Sequence, residues 1–449
     1  MTSRGLAEKI CRVLLDAGYQ AYLVGGSVRD LVLGREPGDF DVATDALPGR
    51  VESLFPGSLT VGAKFGVVMV VEDGAEVEVA TFRSDVGSSD GRHPDSVVYT
   101  GNVAEDVRRR DFTINALLLD PRNGEIIDLV AGRADLAAGI VRAIGDPDKR
   151  FAEDKLRMMR AVRFAARFGF EIEPETFAAI RRLAHAVHQV SAERLRDECT
   201  RLLTEGAAGR GFELLDAAGL LAFVLPEVAR MKGVEQPPEF HPEGDVWIHT
   251  RMMLEALPRG AAPAFAWGVL LHDVGKPPTF TPAASGERIR FDNHVEVGAA
   301  IAEEICRRLR FSNADTEQIV ALVRNHLRFK DVQQMRPATL KRFIRLPHFE
   351  QHMELHRLDC LASHGSLASY QFVRRFIDET PAEAVRPPRL VTGEDLKQRG
   401  LAPGPLFGRI LRAVEEAQLE GAVQTREEAE RLIDDILKGS SGKSAKWTS

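Results

Sequence analysis

The chain has 449 residues, of which 44% are hydrophobic and 28% charged, and its formal net charge is −7. This length is too great for one ordinary core and predicts about three domains, and no apolar run approaches the roughly 18 residues that span a membrane. We therefore expect a globular protein without membrane spans, whose acidic balance does not by itself favour nucleic acid as a partner.

The cysteines and the N-terminal segment favour a cytoplasmic protein. The first twenty residues include Glu8 and Asp16 and predict an amphipathic helix rather than a signal peptide. The cysteines are scattered and form no CxxC pair, which is typical of a reducing compartment. They are Cys11, Cys199, Cys306 and Cys360.

The stretch AYLVGGSVRDLVLGREPGDFDVAT predicts a phosphate site. Its apolar start predicts a buried strand, and Gly25 and Gly26 permit a tight turn that brings the backbone close to a ligand before a short helix begins at Ser27. Free N–H groups at such a turn favour an anion, and Arg29 can bind phosphate oxygens through two nitrogens.

Two carboxylates follow the turn. Asp39 and Asp41 are spaced i, i+2, so they share a face if the segment is extended. Hard oxygen ligands beside a phosphate site suit Mg²⁺, and the implied chemistry is the in-line attack of a hydroxyl on a nucleotide phosphate.

The next predicted elements are a β-hairpin and a third carboxylate. The runs 67–71 and 77–82 are rich in β-formers and flank the turn dipeptide Asp73-Gly74, so we expect them to join the strand of the two aspartates in a small mixed sheet. Glu78 can polarise or deprotonate the attacking hydroxyl; alternatively, it is an exposed strand residue beside Glu76.

GGSVRD and GDFDVAT together resemble the head-domain signature of the class II tRNA nucleotidyltransferases, or CCA-adding enzymes, and of the bacterial poly(A) polymerases. The resemblance extends over nearly the whole chain. It implies an α+β fold in which a polymerase-beta-like nucleotidyltransferase head with a small mixed sheet precedes all-α regions. It implies a head over 1–150, a helical neck over 151–236, an HD domain over 237–377 and a helical tail over 378–449. It also implies tRNA, ATP and CTP as partners, and Mg²⁺ in the head.

Two further segments of the head match the family. The polar segment 84–97 corresponds to the flexible loop linked to the final A addition, and it is full length here. Arg110, Asp111 and Asn115 resemble the motif that holds the incoming nucleotide. Arg110 can bind the triphosphate, while Asp111 and Asn115 can bind ribose hydroxyls.

The neck begins with a predicted helix that ends at Gly169 and carries a basic stripe. Left unpaired, like charges at this spacing destabilise a helix, so the stripe favours a polyanion. The stripe consists of Arg157, Arg160, Arg163 and Arg167.

Asp154 and Arg157 resemble the family's protein template for base choice. Asp154 would accept from the amino group of cytosine or adenine while Arg157 donates to the ring nitrogen; uracil and guanine invert this pattern, and rejection of this kind reaches about 10⁴-fold. Arg160 and Arg163 match other nucleotide-contacting positions. The alternative is an ordinary Asp154–Arg157 ion pair on the helix surface. Farther along, Ser191 is the expected N-cap of another helix. In that helix Glu193 and Arg194 resemble a family motif that braces the template helix, which implies a structural rather than a chemical role.

A second set of chemical groups follows the segment 226–245, which we interpret as a linker. The order H…HD…D resembles the HD phosphohydrolase superfamily. Imidazole with carboxylate suits Mn²⁺, Ni²⁺ or Zn²⁺, and a bound metal would generate hydroxide to attack a phosphoester. The proposed ligands are His249, His272, Asp273 and Asp359, with His294 and His326 at a second metal or at the substrate phosphate. Alternatively, His272-Asp273 caps a helix, and His294 and His326 are core or surface residues.

The tail is expected to assist with the tRNA body, and its last residues, 439–449, are expected to be disordered. Three alternatives to CCA addition remain. A poly(A) polymerase or A-adding enzyme is the first. An alarmone enzyme is disfavoured because that family places HD first. A non-catalytic RNA-binding homologue is disfavoured because Asp39 and Asp41 are both present. The sequence gives no prediction of oligomeric state.

Overall fold

The computed structural model describes residues 1–59, 66–86, 96–283 and 288–441. Most of the predicted loop over 84–97 lies outside these residues, as do residues 442–449 of the predicted disordered end, 439–449. In the described part of the chain, no helix combines the length and the apolar composition that a membrane crossing requires.

The head is built on a mixed sheet, as predicted. Among the described residues the sheet has six strands in the order β3-β4-β2-β1-β7-β8, with β2 and β4 parallel and the other pairs antiparallel. β5 and β6 form a separate antiparallel ribbon. The strands are β1 (Ala21–Val24), β2 (Asp41–Thr44), β3 (Val67–Glu72), β4 (Ala75–Thr81), β5 (Arg83–Val86), β6 (Ser96–Tyr99), β7 (Leu118–Leu119) and β8 (Ile126–Ile127).

The predicted hairpin is confirmed in β3 and β4. Its turn residues Asp73 and Gly74 have φ values of 48° and 76°, as the tight turns that match strand twist require. The helices of the head cover the sheet, and α1 buries Leu6, Ile10 and Leu14 in the core. They are α1 (Ser3–Asp16), α2 (Gly26–Val32), α3 (Pro48–Leu54), α4 (Val103–Arg108) and α5 (Gly132–Ala138), with a 3₁₀ turn at Thr113–Asn115.

The neck is helical, and its core is continuous with that of the head. The predicted helix end at Gly169 is confirmed, with φ of 72°, a conformation that glycine adopts without strain. Short strands β9 (Ile140–Val141) and β10 (Glu171–Ile172) pair in parallel beside it. The helices are α6 (Pro147–Glu153), α7 (Leu156–Phe168), α8 (Pro174–Leu183), α9 (Ala192–Thr204), α10 (Ala208–Ala217), α11 (Leu221–Val224) and α12 (Pro226–Ala229), with a 3₁₀ helix at Ala184–Gln189.

The rest of the chain is almost entirely helical. α14 is buried on all sides, with Trp267 at its centre, and two smaller apolar clusters lie in the C-terminal third. β11 (Phe280–Thr281) and β12 (Arg290–Phe291) form a two-stranded ribbon. The helices are α13 (Val246–Glu255), α14 (Pro263–Leu271), α15 (Lys276–Thr279), α16 (His294–Arg308), α17 (Asn313–Asn325), α18 (Pro337–Ile344), α19 (Phe349–Ala362), α20 (Ala368–Glu379), α21 (Ala382–Val385), α22 (Gly393–Gln398), α23 (Pro405–Glu420) and α24 (Arg426–Ser441), with a 3₁₀ helix at His326–Gln334.

Candidate nucleotide and metal sites

The glycine turn between β1 and α2 brings the backbone against charged side chains of the head. Gly25 has φ of 77° and caps α2. A Cβ atom at Gly25 would lie 3.6 Å from Arg110 Nη1 and 3.8 Å from Asp41 Oδ2. The turn therefore has its predicted tight conformation, and it faces both a guanidinium and a carboxylate.

The sheet register places the predicted acidic residues together. Asp41 lies opposite Val24 on β1 and opposite Glu78 on β4, and Asp39 lies just before β2. Burial, followed by repulsion from Asp39 and Glu78, raises the pKa of Asp41 to about 6, while Arg110 acts in the opposite direction. Carboxylates that repel one another in this way are a suitable donor set for a hard cation. They do not form a set of three donors within 4.8 Å of one another in the described residues.

Two residues of the turn differ from expectation. Arg29 is buried, donates from Nε to Asp30 Oδ1 at 2.8 Å and from Nη1 to Asn115 Oδ1 at 2.6 Å, and lies over the Phe168 ring. Ser27 is also buried, and its hydroxyl donates to the Val24 carbonyl. The prediction of an open phosphate contact by these two side chains is therefore corrected: both support the turn from beneath.

Asp111 and Asn115 lie together, as their motif predicts, but each already has protein partners. Arg160 donates to Asp111 Oδ2 from Nε at 2.8 Å and from Nη2 at 2.6 Å, and Asn115 donates to Asp111 Oδ1 at 3.2 Å. Burial alone would raise the pKa of Asp111, but Arg160 and Asn115 hold it below its usual value. Asp111 is therefore ionised at neutral pH.

The prediction that the basic stripe is unpaired is wrong, because acidic partners from neighbouring elements neutralise all four arginines. Arg163 is itself buried, so α7 presents a paired polar face rather than a free cationic one. The pairs are Arg157–Glu153 at 2.7 Å, Arg160–Asp111 at 2.6 Å, Arg163–Glu198 at 2.5 Å, Arg163–Glu205 at 2.9 Å and Arg167–Glu205 at 3.3 Å.

Asp154 and Arg157 flank the break between α6 and α7. The backbone of Asp154 is extended. Its carboxylate accepts a hydrogen bond from the Leu156 backbone N–H at 3.1 Å and from the two terminal nitrogens of Arg194 at 3.1 and 2.7 Å. Arg157 donates to Glu153 at 2.7 Å and to the Arg109 carbonyl at 3.1 Å. The alternative of a direct Asp154–Arg157 ion pair is therefore wrong.

Arg194 projects from α9, which begins just after Ser191, as predicted. The Ser191 hydroxyl, however, accepts no capping hydrogen bond from the described residues.

The second group of candidates converges from five helices and the turns at their ends. His249 lies within α13, His272 and Asp273 end α14, His294 begins α16, His326 ends α17 and Asp359 lies on α19. His249 Nε2 is 3.1 Å from Asp359 Oδ1. Asp273 is central: its oxygens lie 3.1 Å from His272 Nε2, 3.7 Å from His326 Nε2 and 3.9 Å from His294 Nε2. The structure therefore brings all six predicted residues together.

The imidazoles are oriented as metal ligands. Nδ1 of His272, His294 and His326 faces a backbone carbonyl at 2.8, 2.8 and 2.6 Å, which places the proton on Nδ1 and the lone pair on Nε2. The Nε2 atoms of these three residues and of His249 are buried and have no aligned hydrogen-bond partner among the described residues, even where a carboxylate oxygen lies 3.1 Å away. Buried lone pairs beside carboxylates fit a divalent cation.

Burial and neighbouring charges shift the pKa values of the residues in this cluster. Burial lowers the pKa of His249, but the neighbouring carboxylates of Asp359 and Glu243 outweigh it and raise the pKa to about 9. Burial lowers the pKa of His326 to about 4. Burial would raise the pKa of Asp273, but Lys276 and His272 keep it well below its usual value. Asp273 is therefore available as an anionic donor at any physiological pH.

Sequence reasoning missed three residues at this cluster. His241, Glu243 and His249 form a further set of donors within 4.8 Å. Lys276 is buried and its Nζ lies 2.7 Å from Asp273 Oδ2 and 2.6 Å from Gln236 Oε1. The spacing His-x-Glu within a proline-rich segment is the signal that could have identified the first two. The interpretation of 226–245 as a plain linker is therefore wrong.

A close backbone crossing allows the cluster to form. A Cβ atom at Gly275 would lie 2.0 Å from the His294 carbonyl oxygen and 2.6 Å from the Gly298 nitrogen. No side chain fits there, so α16 can approach the end of α14 and bring His294 next to Asp273.

Three family models match this chain. The "Poly A polymerase head domain" matches residues 21–142, the "Probable RNA and SrmB-binding site of polymerase A" matches 169–232, and the "HD domain" matches 245–361. The candidate carboxylates lie in the first range, and the imidazole cluster in the third.

Curated relatives agree with these matches. The chain is 45% identical over 215 residues to a CCA-adding enzyme of Levilactobacillus brevis, covering 48% of this chain and 54% of the relative. It is 46% identical over 220 residues to a CCA-adding enzyme of Geobacillus stearothermophilus, covering 49% and 54%. The chain thus spans about half the length of the curated relatives it matches.

Solved structures match over greater lengths. The Bacillus stearothermophilus CCA-adding enzyme in complex with CTP has a TM-score of 0.73 at 28% identity, covering 97% of this chain and 98% of that one. The Thermotoga maritima CCA-adding enzyme complexed with tRNA shares the fold, with a TM-score of 0.59 at 18% identity over 96% of this chain and 95% of that one. The chain therefore resembles the CCA-adding enzymes in fold over nearly its whole length, and it carries matches to the poly(A) polymerase head domain and to the HD domain.

Proposed function

We propose that this chain adds C, C and A to the 3′ end of tRNA, using CTP and ATP with Mg²⁺, and that its HD domain is a metal-dependent phosphoesterase. The names of the curated relatives and the CTP complex with 28% identity support the first activity. Buried free cysteines support a cytoplasmic location. The proposal keeps the division into a head over 1–150, a neck over 151–236, an HD domain over 237–377 and a tail over 378–449.

The observation that carries the proposal is the position of Asp41. It lies beside Glu78 in the parallel register, close to the Gly25 turn and to Arg110. In this proposal, Asp39 and Asp41 hold Mg²⁺, which would stabilise charge on the phosphate oxygens. Glu78 accepts the proton of the attacking 3′ hydroxyl, and Arg110 binds the triphosphate. Gly26 offers a backbone N–H group at the same place, whereas the Gly25 N–H donates to the Leu117 carbonyl at 3.4 Å.

The ribose and the base are assigned to residues at the junction of head and neck. Asp111, Asn115 and Arg160 form one hydrogen-bonded group there, which we assign to the ribose and the phosphates. Arg163 is buried with Glu198, so we assign it to support of α7 rather than to the nucleotide.

Base choice is assigned to Asp154 and Arg157. A carboxylate can accept about four hydrogen bonds. The Asp154 carboxylate already accepts three, two from Arg194 and one from the Leu156 N–H. One position therefore remains for the amino group of cytosine or adenine. Arg157, held by Glu153, would donate to the adjacent ring nitrogen, and uracil would place a carbonyl against the carboxylate.

The HD site is assigned to hydrolysis of a phosphoester. The ligands would be His249, His272, Asp273 and Asp359, with His294 and His326 at a second ion or at the substrate phosphate. Mn²⁺, Ni²⁺ or Zn²⁺ would supply Lewis-acid activation of water there. Lys276 lies at the same place and can bind a phosphate oxygen.

The test is nucleotide incorporation on a tRNA transcript that lacks its 3′ CCA. CTP alone should extend the transcript by two residues, and ATP should then add one. Long tails from ATP alone would replace the CCA proposal with a poly(A) polymerase, and addition of a single A only to transcripts ending in CC would indicate an A-adding enzyme.

A further inference from the structure

The carboxylate of Glu243 lies in the interior of the HD site. Its side chain is 5% exposed although the residue lies outside any helix, three residues before α13. Asp245 caps that helix by accepting from the Ile248 N–H at 2.7 Å, so the backbone on this side of Glu243 is fixed. A buried carboxylate needs compensating donors.

The donors to Glu243 are two imidazoles. Oε1 of Glu243 lies 2.7 Å from His249 Nδ1 and 2.8 Å from His241 Nδ1, and the two rings meet edge to face with centroids 5.0 Å apart. With Nδ1 donating to Glu243, Nε2, which faces Asp359, is the nitrogen left to bind a cation in place of a proton. His241 holds Glu243 from the other side.

His249 needs a side-chain acceptor because of its place in the fold. His272 and His326 end helices and His294 begins one, and in each case the backbone carbonyl three residues earlier accepts from Nδ1. His249 is the fourth residue of α13, where the preceding carbonyls serve the helix, and its own N–H donates to the Asp245 carbonyl. For His249, the acceptor of the Nδ1 proton is therefore the carboxylate of Glu243, from the segment before α13. For the other three histidines the acceptor is a backbone carbonyl.

We propose that Glu243 is a positioning residue of the HD site, which fixes the tautomer and ring orientation of His249 toward the metal and is itself held by His241. This inference rests on the proposed metal-dependent phosphoesterase. Carboxylates that orient a ligating histidine typically contribute about 10- to 100-fold in metal affinity. Glu243 thereby extends the functional site to the segment before α13.

The test measures Mn²⁺ binding to the full-length, metal-stripped protein by titration calorimetry, with Asp41→Ala present in the reference protein and in every variant so that the proposed head site does not contribute. Glu243→Ala removes both charge and acceptor and should weaken binding about 100-fold, whereas Glu243→Gln keeps an acceptor and should weaken it about 10-fold. Glu239→Gln is the matched control, because Glu239 is an exposed glutamate of the same segment; its affinity should equal that of the reference protein.

The outcomes separate this inference from the proposed function. Absence of Mn²⁺ binding by the reference protein would remove the phosphoesterase proposal. Binding by the reference protein with unchanged affinity in Glu243→Gln would overturn the role of Glu243. Hydrolysis of an aryl phosphodiester gives a second readout: saturating Mn²⁺ should restore most of the kcat of Glu243→Gln, and a fixed loss of kcat at all Mn²⁺ concentrations would contradict positioning through His249. Because Gln is nearly isosteric with Glu, this variant keeps the test valid if Glu243→Ala does not fold.

Discussion

Arg194 donates to both oxygens of Asp154, at 3.1 and 2.7 Å, and so fixes the plane of the carboxylate that we assign to base choice. The contact joins α9 to the break between α6 and α7. The orientation of the proposed template is thus set by a residue that need not touch the nucleotide.

We expect Arg157→Ala to blur the choice between CTP and UTP before it abolishes turnover, because the donor to the ring nitrogen is lost while Asp154 remains in place. The ratio of kcat/KM for CTP to that for UTP should fall by about 10²-fold or more. Incorporation of each nucleotide into tRNA ending before CCA measures this ratio. Unchanged discrimination would remove Arg157 from base choice.

Arg194→Ala should also reduce discrimination between CTP and UTP, because the Asp154 carboxylate would no longer be held in one orientation. We expect a smaller fall than for Arg157→Ala, accompanied by a larger rise in KM for both CTP and ATP. Arg182→Ala is a suitable control, since Arg182 forms an exposed pair with Asp148 on α6. Equal fidelity in Arg194→Ala and the wild type would contradict the positioning role.

The two proposed sites should be separable. Asp41→Ala should reduce nucleotide addition by more than about 10³-fold, since it removes a cation ligand beside the reacting phosphate. His272→Ala should leave nucleotide addition intact and abolish Mn²⁺-dependent phosphodiester hydrolysis. Both activities are measured on each variant; comparable loss of nucleotide addition in both would mean that the division into two sites is wrong.

Asp41 should make the metal-free protein less stable as pH rises. Its pKa is raised to about 6 from 3.8 by burial and by repulsion from Asp39 and Glu78, so its ionised form is disfavoured in the fold, and the free energy of unfolding falls as pH increases between these values. At pH 7, Asp41→Asn should gain at most about 3 kcal/mol. Chemical denaturation at pH 4 and pH 7 measures this gain, with the exposed Glu76→Gln as control. A gain that persists at pH 4 would contradict the assignment.

The buried Arg163–Glu198 pair should be important for stability. The two side chains are 3% and 6% exposed, and removal of one partner from such a pair costs about 3 to 5 kcal/mol because the other charge is left uncompensated. Arg163→Met should therefore lower the free energy of unfolding by this amount, and the double variant Arg163→Met, Glu198→Met by less. A loss below about 1 kcal/mol, as for an exposed pair, would contradict the burial of Arg163.

Local sequence patterns predicted the elements that carry the proposed chemistry. The Asp73-Gly74 turn, the strand of Asp41 and the helix end at Gly169 each follow from glycine placement or alternating hydrophobicity. The HD residues converge as the order of His249, His272 and Asp359 indicates. These predictions succeeded because short segments determine turns and periodicity, and family signatures fix the order of the motifs.

The predictions that failed concern partners from distant elements. Arg29 was expected to face phosphate, but it is neutralised by Asp30 and packed on Phe168 from the neck. Arg163 and Arg167 in the stripe of α7 pair with glutamates within α9 and at the C-terminal end of α9. The helical spacing within α7 cannot indicate these partners. Glu243 was missed because the surrounding prolines and glycines predict a loop, and its contact with His249 forms only when that loop folds against α13.

The crossing of the chain at Gly275 makes one activity more vulnerable than the other. A methyl group there would overlap the His294 carbonyl oxygen at 2.0 Å, and the resulting shift of α16 would carry His294 away from Asp273. The strands that bear Asp41 and Glu78 take no part in this crossing. Under the proposed division of activities, a single substitution at Gly275 would therefore impair the hydrolytic site and leave nucleotide addition intact.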